Sequence, residues 1–251
     1  MRRQIEVRGG PGHLLGEVSL WLFDLDNTLY DADAGVFDQI HQRMARFIAS
    51  HLGVSLKQAE EIQYNYWASY GATFLGLERF HGISPELFFR ETHSFDLEPY
   101  IKPVASAHTL CSLIRSLPGR KVVLTNGPHA YAERVLSFLG IFGLFDAVYS
   151  PEQMRVPGRW RCKPQREAIQ IALARSGFLP QKTVLVDDGL NNLRAAKSLG
   201  MKTIRCVGHS KRLISPQPCF VDFSVRDVTE LAKIASVGNR IVREICHVER
   251  G

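Results

Sequence analysis

The sequence predicts an α/β fold: a doubly wound parallel sheet with an inserted all-helical cap. Short apolar runs alternate with stretches of helical periodicity along most of the chain, which is the pattern of parallel strands joined by crossover helices. Between Tyr30 and Lys121 lie about ninety residues, far more than one crossover needs, and their periodicity is helical. The core is therefore expected over residues 18–34 and 104–235 and the cap over 35–103. Residues 1–17 form an N-terminal extension and 236–251 a C-terminal tail.

The first strand lies in VSLWLFDLDNTLY (18–30), where Leu20 to Phe23 are uninterrupted apolar residues. In the insert, Val36, Ile40, Met44, Phe47, Ile48 and Leu52 fall on one helical face, and a second helical stretch runs from about Leu56 to Phe74. The chain returns to the core at Pro103 and enters a helix, Val104 to Arg115, before the second strand, KVVLTNG (121–127). A helix over His129 to Leu139 and a short strand near Ala147 to Tyr149 follow. Pro164 pre-sets the first turn of a helix reaching Ser176 and so places Lys163 at its mouth. Then come a strand in TVLVDDG (183–189), a helix over Asn191 to Leu199, a strand at Lys202 to Val207, an edge strand at Phe220 to Ser224 and a helix from Val228 to Ala235. The first residues read as a loose extension, and NRIVREICHVERG (239–251) as a weakly amphipathic end that frays.

A chain of 251 residues, 45% apolar and 22% charged, can bury one large core and a smaller satellite. No stretch approaches the roughly 20 apolar residues that cross a bilayer, and the basic N-terminus has no apolar segment behind it to make a secretory signal. Five scattered cysteines, without Cys-x-x-Cys spacing, fit reduced thiols and a cytoplasmic location rather than disulfides or zinc. Cys162 reads as a small buried residue beside Lys163. The net charge of +6 is spread along the chain except in RVPGRWRCKPQR (155–166), which holds five basic residues and no acid. That run reads as a solvated loop, as a local field drawing an anion toward Lys163, or as a polyanion patch.

The chemistry sits at the ends of these elements. Asp24 and Asp26 close the first apolar run and lean the same way, because strand side chains alternate. Two desolvated carboxylates side by side are costly without a cation or hydrogen-bond donors. Thr125, Asn126 and Gly127 close the second strand, Lys163 opens a helix, and Asp187 and Asp188, with Asn191 and Asn192 behind them, close a third strand. In open parallel sheets ligands bind at the carboxyl edge, so these endings are expected to converge.

In this order, Asp24-x-Asp26, Thr125, Lys163 and Asp187-Asp188 resemble the four motifs of the haloacid dehalogenase (HAD) superfamily of phosphohydrolases, over about residues 18 to 235. DLDNTLY, YGATFLGL (70–77), TNGPHAYAERVLSFLGIFGLFD (125–146) and VDDGLNNLRAAKSLGMKT (186–203) look most like its pyrimidine 5'-nucleotidase branch. The resemblance implies a Rossmann-like core and a magnesium-dependent phosphatase. Asp24 would be the nucleophile, forming an aspartyl-phosphate, and Asp26 the general acid and then base. Thr125 and the amides after it, with Leu25, Asn126, Gly127 and Tyr30, would contact the phosphate or substrate, and Lys163 would bridge Asp24 and the phosphate. Mg2+ would be held by oxygen alone, from the Asp24 carboxylate, the Asp26 backbone carbonyl and the Asp188 carboxylate, with Asp187 and Asn192 behind them.

Neighbouring chemistries fit less well. A dehalogenase needs neither metal nor leaving-group acid, and a receiver domain carries its acidic pair first rather than last. A phosphomutase shares the nucleophile and is decided by the cap. A nucleic-acid module rests only on net charge and the 155–166 run, with no nucleic-acid motif beside them, so nucleic acid is not an expected partner. The expected partner is a small phosphate ester, with UMP or CMP ahead of sugar phosphates and phosphoglycolate, bound by a monomer or weak homo-oligomer. Trp67, Tyr70 and Phe74 stand at helical spacing, as core or as a stacking surface for a base, and Tyr30 and Phe37 are further candidates for lining.

Overall fold

The computed structural model describes residues 18–208 and 217–232. The chain enters through β1 (Leu20–Phe23) and β2 (Tyr30–Asp31), then builds α1 (Val36–Leu52), α2 (Leu56–Tyr70), α3 (Thr73–His81) and α4 (Pro85–His93) before β3 (Lys102–Pro103). It continues through α5 (Ala107–Ser116), β4 (Arg120–Leu124), α6 (His129–Phe138), β5 (Ala147–Tyr149), α7 (Pro151–Met154) and α8 (Arg166–Ser176). The last elements are β6 (Thr183–Asp187), α9 (Leu190–Ser198), β7 (Lys202–Cys206) and β8 (Phe223–Val225). No described helix is long and apolar enough to cross a membrane.

Six strands form one parallel sheet in the order β5-β4-β1-β6-β7-β8. The order reverses at β1, which places the ligand crevice at its carboxyl end. All four β1 residues are fully buried, as a strand covered on both faces requires. Trp21 and Phe23 pack on one side with Leu113 of α5 and Val135 of α6. Leu20 and Leu22 pack on the other with Ile169 of α8 and Leu193 of α9. Phe23 is level with Val123 on β4 and Val186 on β6, so Asp24, Thr125 and Asp187 emerge at one edge.

The cap has its own core, in which Phe47, Ile48, Ala59, Phe74 and Phe88 meet Trp160 of the basic loop. Its helices are cut to length by local chemistry. Ser55 and Gln58 make a capping box at the start of α2, and Ser84 caps α4 with Pro85 in its first turn. The neck of the insertion is not helical: β2 and β3 pair antiparallel, Tyr30 with Pro103 and Asp31 with Lys102.

Several expectations are corrected. The stretch from Leu56 to Phe74 is two helices, broken at Gly71, whose φ of 86° is left-handed. A β-carbon there would lie 2.6 Å from Pro164 Cδ and 2.8 Å from the Lys163 carbonyl oxygen, so the break lets the cap backbone approach the lysine loop. Trp67, Tyr70 and Phe74 therefore form no single stripe: Phe74 is 2% exposed and Trp67 57%. Pro164 does not open a helix. It lies in a turn closed by Gln165 N–H donating to the Cys162 carbonyl (3.0 Å), its peptide bond with Lys163 is cis, and α8 starts at Arg166. The helix expected from Val104 starts at Ala107, because the Ser106 hydroxyl caps it by accepting from Thr109 N–H (3.2 Å). The edge strand starts at Phe223, because the Asp222 carboxylate takes the Thr203 N–H (2.9 Å). The helix from Val228 begins with a 3-10 turn, Val228–Glu230. Its expected end at Ala235, the extension 1–17 and the tail 236–251 lie outside the described residues.

The cap touches the core through His93, at the end of α4, whose ring stands edge-on to Tyr131 of α6 (centroids 5.4 Å apart) and to Phe89. Thr92 donates its hydroxyl to the Phe88 carbonyl (2.7 Å), so Nδ1 of His93 donates to Thr92 Oγ1 (2.8 Å). Burial pushes the His93 imidazole down to about 3. The stability carried by the neutral ring is complete above its unfolded value, near 6.5, and is lost as pH falls from there toward 3. Denaturant titrations at pH 7 and pH 5 should show His93→Gln losing about 2 kcal/mol less than the wild type over that interval. Equal losses in both proteins would remove His93 from the acid limb.

Candidate active site

The carboxyl edge of the sheet gathers the strand endings into one place. Asp24 follows the last residue of β1, and its N–H donates to the Val186 carbonyl of β6 (2.9 Å), which ties the two strand ends together. Lys163 is 2% exposed and donates from Nζ to Asp24 Oδ1 (2.6 Å) and to Asp187 Oδ2 (2.8 Å). Asp187 is fully engaged: Oδ1 accepts from Gly189 N–H (2.8 Å) and Asn192 Nδ2 (2.9 Å), and Oδ2 also faces Asn192 Nδ2 (3.1 Å). One of its oxygens thus holds the lysine ammonium, and Asn192 stands behind it.

Carboxylate oxygens of Asp24, Asp187 and Asp188 lie within 4.8 Å of one another. With Asp26 added, four carboxyl groups surround one ammonium. Burial, then repulsion from Asp187, pushes the Asp188 carboxyl up to about 7. Burial likewise pushes Asp24 well above the carboxylate range against the pull of Lys163, and the neighbouring acids add to the rise. Burial alone would lower the lysine, but Asp187 and Asp24 more than offset it and hold it charged. Both directions report one excess of negative charge. A hard divalent cation with oxygen ligands fits this donor set and would relieve the excess, with Asp24 and Asp188 the carboxylates placed to hold it. The Asp26 side chain is not among the clustered oxygens.

Asp26 is held separately. Its Oδ1 accepts from the hydroxyls of Tyr30 (2.6 Å) and Tyr131 (2.5 Å), which are 2.5 Å from each other. Burial raises the Asp26 pKa and the two phenols pull it back. Burial and the adjacent carboxylate hold both phenols protonated, so they remain donors. The loop between Asp26 and Tyr30 is shaped by Asn27, at φ 58°, whose Oδ1 accepts from Ala32 N–H (2.9 Å) and Asp33 N–H (3.1 Å).

Several residues sit differently from expectation. Asn126 grips the backbone of Lys163 in both directions, Nδ2 to the carbonyl and N–H to Oδ1, each at 2.8 Å, so its side chain positions the lysine loop. The Gly127 N–H donates to Thr125 Oγ1 (3.0 Å), and the Thr125 N–H to the Tyr149 carbonyl (3.0 Å), which leaves the Thr125 hydroxyl proton to donate elsewhere. Gly127 is required for space rather than for an unusual φ, since a β-carbon would lie 2.8 Å from the Tyr131 ring. Tyr30 is fully buried and binds Asp26, and it is not among the residues lining the cavity above the site. Leu25 has its side chain in the core, with its carbonyl accepting from Leu29 N–H (2.9 Å). Cys162 is buried, and burial pushes its thiol up to about 12.

Sequence reasoning missed Tyr131, His93 and Trp160. Tyr131 stands four residues after Gly127, in the first turn of α6, where a polar side chain faces the strand ends; that position was a usable signal. The basic run 155–166 is anchored by Trp160, 4% exposed, edge-on to Phe74 and Phe89. Its Arg155 pairs with Glu86 (3.1 Å) and lies over the Trp160 ring (4.8 Å). Above the site, between cap and core, opens a cavity of about 690 Å3 whose floor includes Asp24, Asp26, Lys163 and Asp188.

Known proteins carry the same pattern. The family described as haloacid dehalogenase-like hydrolase matches residues 18–200. Over 193 residues the chain is 28% identical to Phosphate metabolism protein 8 of Saccharomyces cerevisiae, covering 72% of this chain and 59% of the yeast protein, so it spans less than two thirds of that relative. It is 25% identical to the glyceraldehyde 3-phosphate phosphatase of Methanocaldococcus jannaschii, covering 85% of this chain and 95% of that one. The crystal structure of a HAD phosphatase from Thermococcus onnurineus superposes with a TM-score of 0.60 at 20% identity, over 86% of this chain and 97% of its own, a likeness of fold. The family match runs from the start of β1 through α9, and the chain belongs to the haloacid dehalogenase-like hydrolases.

Proposed function

We propose that the protein is a magnesium-dependent phosphomonoester hydrolase that passes its phosphoryl group through Asp24. The observation that carries this is the buried Lys163 bridging Asp24 and Asp187 beside a third carboxylate, Asp188, at the floor of an open cavity. Magnesium, held by the Asp24 and Asp188 carboxylates and the Asp26 backbone carbonyl, would supply positive charge to the phosphoryl oxygens.

The chain's own residues do the rest. Lys163 fixes one oxygen of Asp24, leaving the other to attack phosphorus. As the phosphorus–oxygen bond of the ester breaks, Asp26 gives its proton to the departing oxygen. Asp26 then takes a proton from the water that attacks phosphorus in the aspartyl-phosphate, which frees inorganic phosphate and restores Asp24. Both phenols donate to Asp26 Oδ1, which leaves Oδ2 to carry the proton that the departing oxygen takes. The Thr125 hydroxyl is free to donate to the phosphoryl group.

For the substrate we favour a pyrimidine nucleoside 5'-monophosphate, on the strength of an aromatic-lined cavity beneath α2. The second reading, a sugar phosphate, is supported by the relative named for glyceraldehyde 3-phosphate.

Asp24→Asn should leave a folded protein that releases no phosphate from UMP, CMP, glyceraldehyde 3-phosphate or phosphoglycolate, and chelation should silence the wild type until magnesium returns. Wild-type turnover by Asp24→Asn would end the covalent reading. Tyr131→Phe should slow hydrolysis of alkyl phosphates by about 10-fold or more while sparing p-nitrophenyl phosphate, whose leaving group needs no acid. A uniform loss on both esters would make Tyr131 merely structural.

A further inference from the structure

Helix α2 has two working faces. Ala59, Ile62, Tyr66 and Tyr70 pack into the cap core. Glu60, Gln63, Tyr64 and Trp67, at i, i+3, i+4 and i+7, instead line the cavity above Asp24. Tyr64 and Trp67 are 64% and 57% exposed, among the most exposed large apolar residues described, and their rings lie 5.9 Å apart. Opposite them, α1 contributes Phe37, stacked on His41 at 5.8 Å.

The charge of the lining is as one-sided as its apolar character. Among the described residues, Lys163 is the one lysine or arginine that lines the cavity, and it is already shared by Asp24 and Asp187. Glu60 of α2 and Asp38 of α1 add two more carboxylates to the lining. An anion brought in beyond the phosphoryl group would lose water and meet carboxylates instead of a partner. Gln42 and Gln63 add amide donors and acceptors to the same lining, suited to the edge of a heterocycle.

We propose that the cavity is a leaving-group chamber for a flat, uncharged heterocycle, stacked on Tyr64 and Trp67, and that it rejects esters whose leaving group bears a second anion. The proposal rests on the phosphomonoesterase reading for its catalytic half and names the substrate class of that site: nucleoside monophosphates without further phosphate, rather than phosphoglycolate or bisphosphates.

Two measurements separate this from the catalytic reading. Binding of uridine to the full chain is followed by intrinsic fluorescence, which needs no turnover. Trp67 is the exposed tryptophan while Trp21 and Trp160 are buried, so uridine should quench the wild type and leave Trp67→Phe unchanged. Hydrolysis of uridine 5'-monophosphate and of uridine 3',5'-bisphosphate at the 5' position is then compared. The monophosphate should be preferred in kcat/KM by about 10-fold or more, the scale of one unpaired anion, and Glu60→Lys should shrink that ratio. Trp67→Ala should raise the monophosphate KM by about 10-fold, the scale of one lost stacking contact, with little change in kcat. Absence of quenching, or a bisphosphate hydrolysed as well as the monophosphate, would overturn the chamber even if Asp24→Asn is dead. Quenching without hydrolysis of any ester would uphold the chamber and overturn the phosphatase.

Discussion

One buried ammonium organises this molecule. Lys163 is almost fully buried and its ammonium is paired with two carboxylates, one closing β1 and the other closing β6. Removing both partners would leave a charge stranded in a medium where that is severely unfavourable. The lysine is placed by its backbone as well, through the paired hydrogen bonds to Asn126 at the end of β4. Three strand ends thus converge on one residue that belongs to none of them.

That arrangement explains why the surrounding acids are poised rather than satisfied. A single positive charge cannot neutralise four carboxyl groups in low dielectric, so Asp188 and Asp24 are pushed toward protonation while the lysine is held ionised. The site is built with a deficit of positive charge on its floor, and a cation and a phosphoryl group suit such a place together better than either alone. Asp26 stands outside this exchange, tied to two phenols instead of to the lysine. The division gives the proposed nucleophile and the proposed acid different surroundings although they stand two residues apart.

The parallel sheet and its carboxyl-edge site were legible because they follow from short-range rules. Apolar runs ending in Asp24, Thr125 and Asp187 read as buried strands that stop at polar residues, and the resemblance to the family's four motifs brought Lys163 to the same edge. What was not legible depends on distant chain segments. Nothing around Gly71 reveals that it must make room for Pro164, so one helix was expected where two exist. The lysine-proline pair looked like a helix start because proline favours first turns, yet the turn closed by Gln165 overrides that preference. Tyr131 and His93 matter through partners distant in the chain, Asp26 for the one, 105 positions away, and Tyr131 for the other, 38 positions away, and no local pattern encodes either pairing.

The neck of the insertion has a mechanical meaning. The chain leaves and re-enters the core through a ribbon two residues long on each side, and one of its four residues, Tyr30, is also bonded to the carboxyl that we assign as proton donor. Any swing of the helical lid about that ribbon would pull on the phenol at its pivot. Opening the lid and disarming the acid would then be a single motion, so that an active site exposed to bulk water is one whose proton donor has already been turned aside.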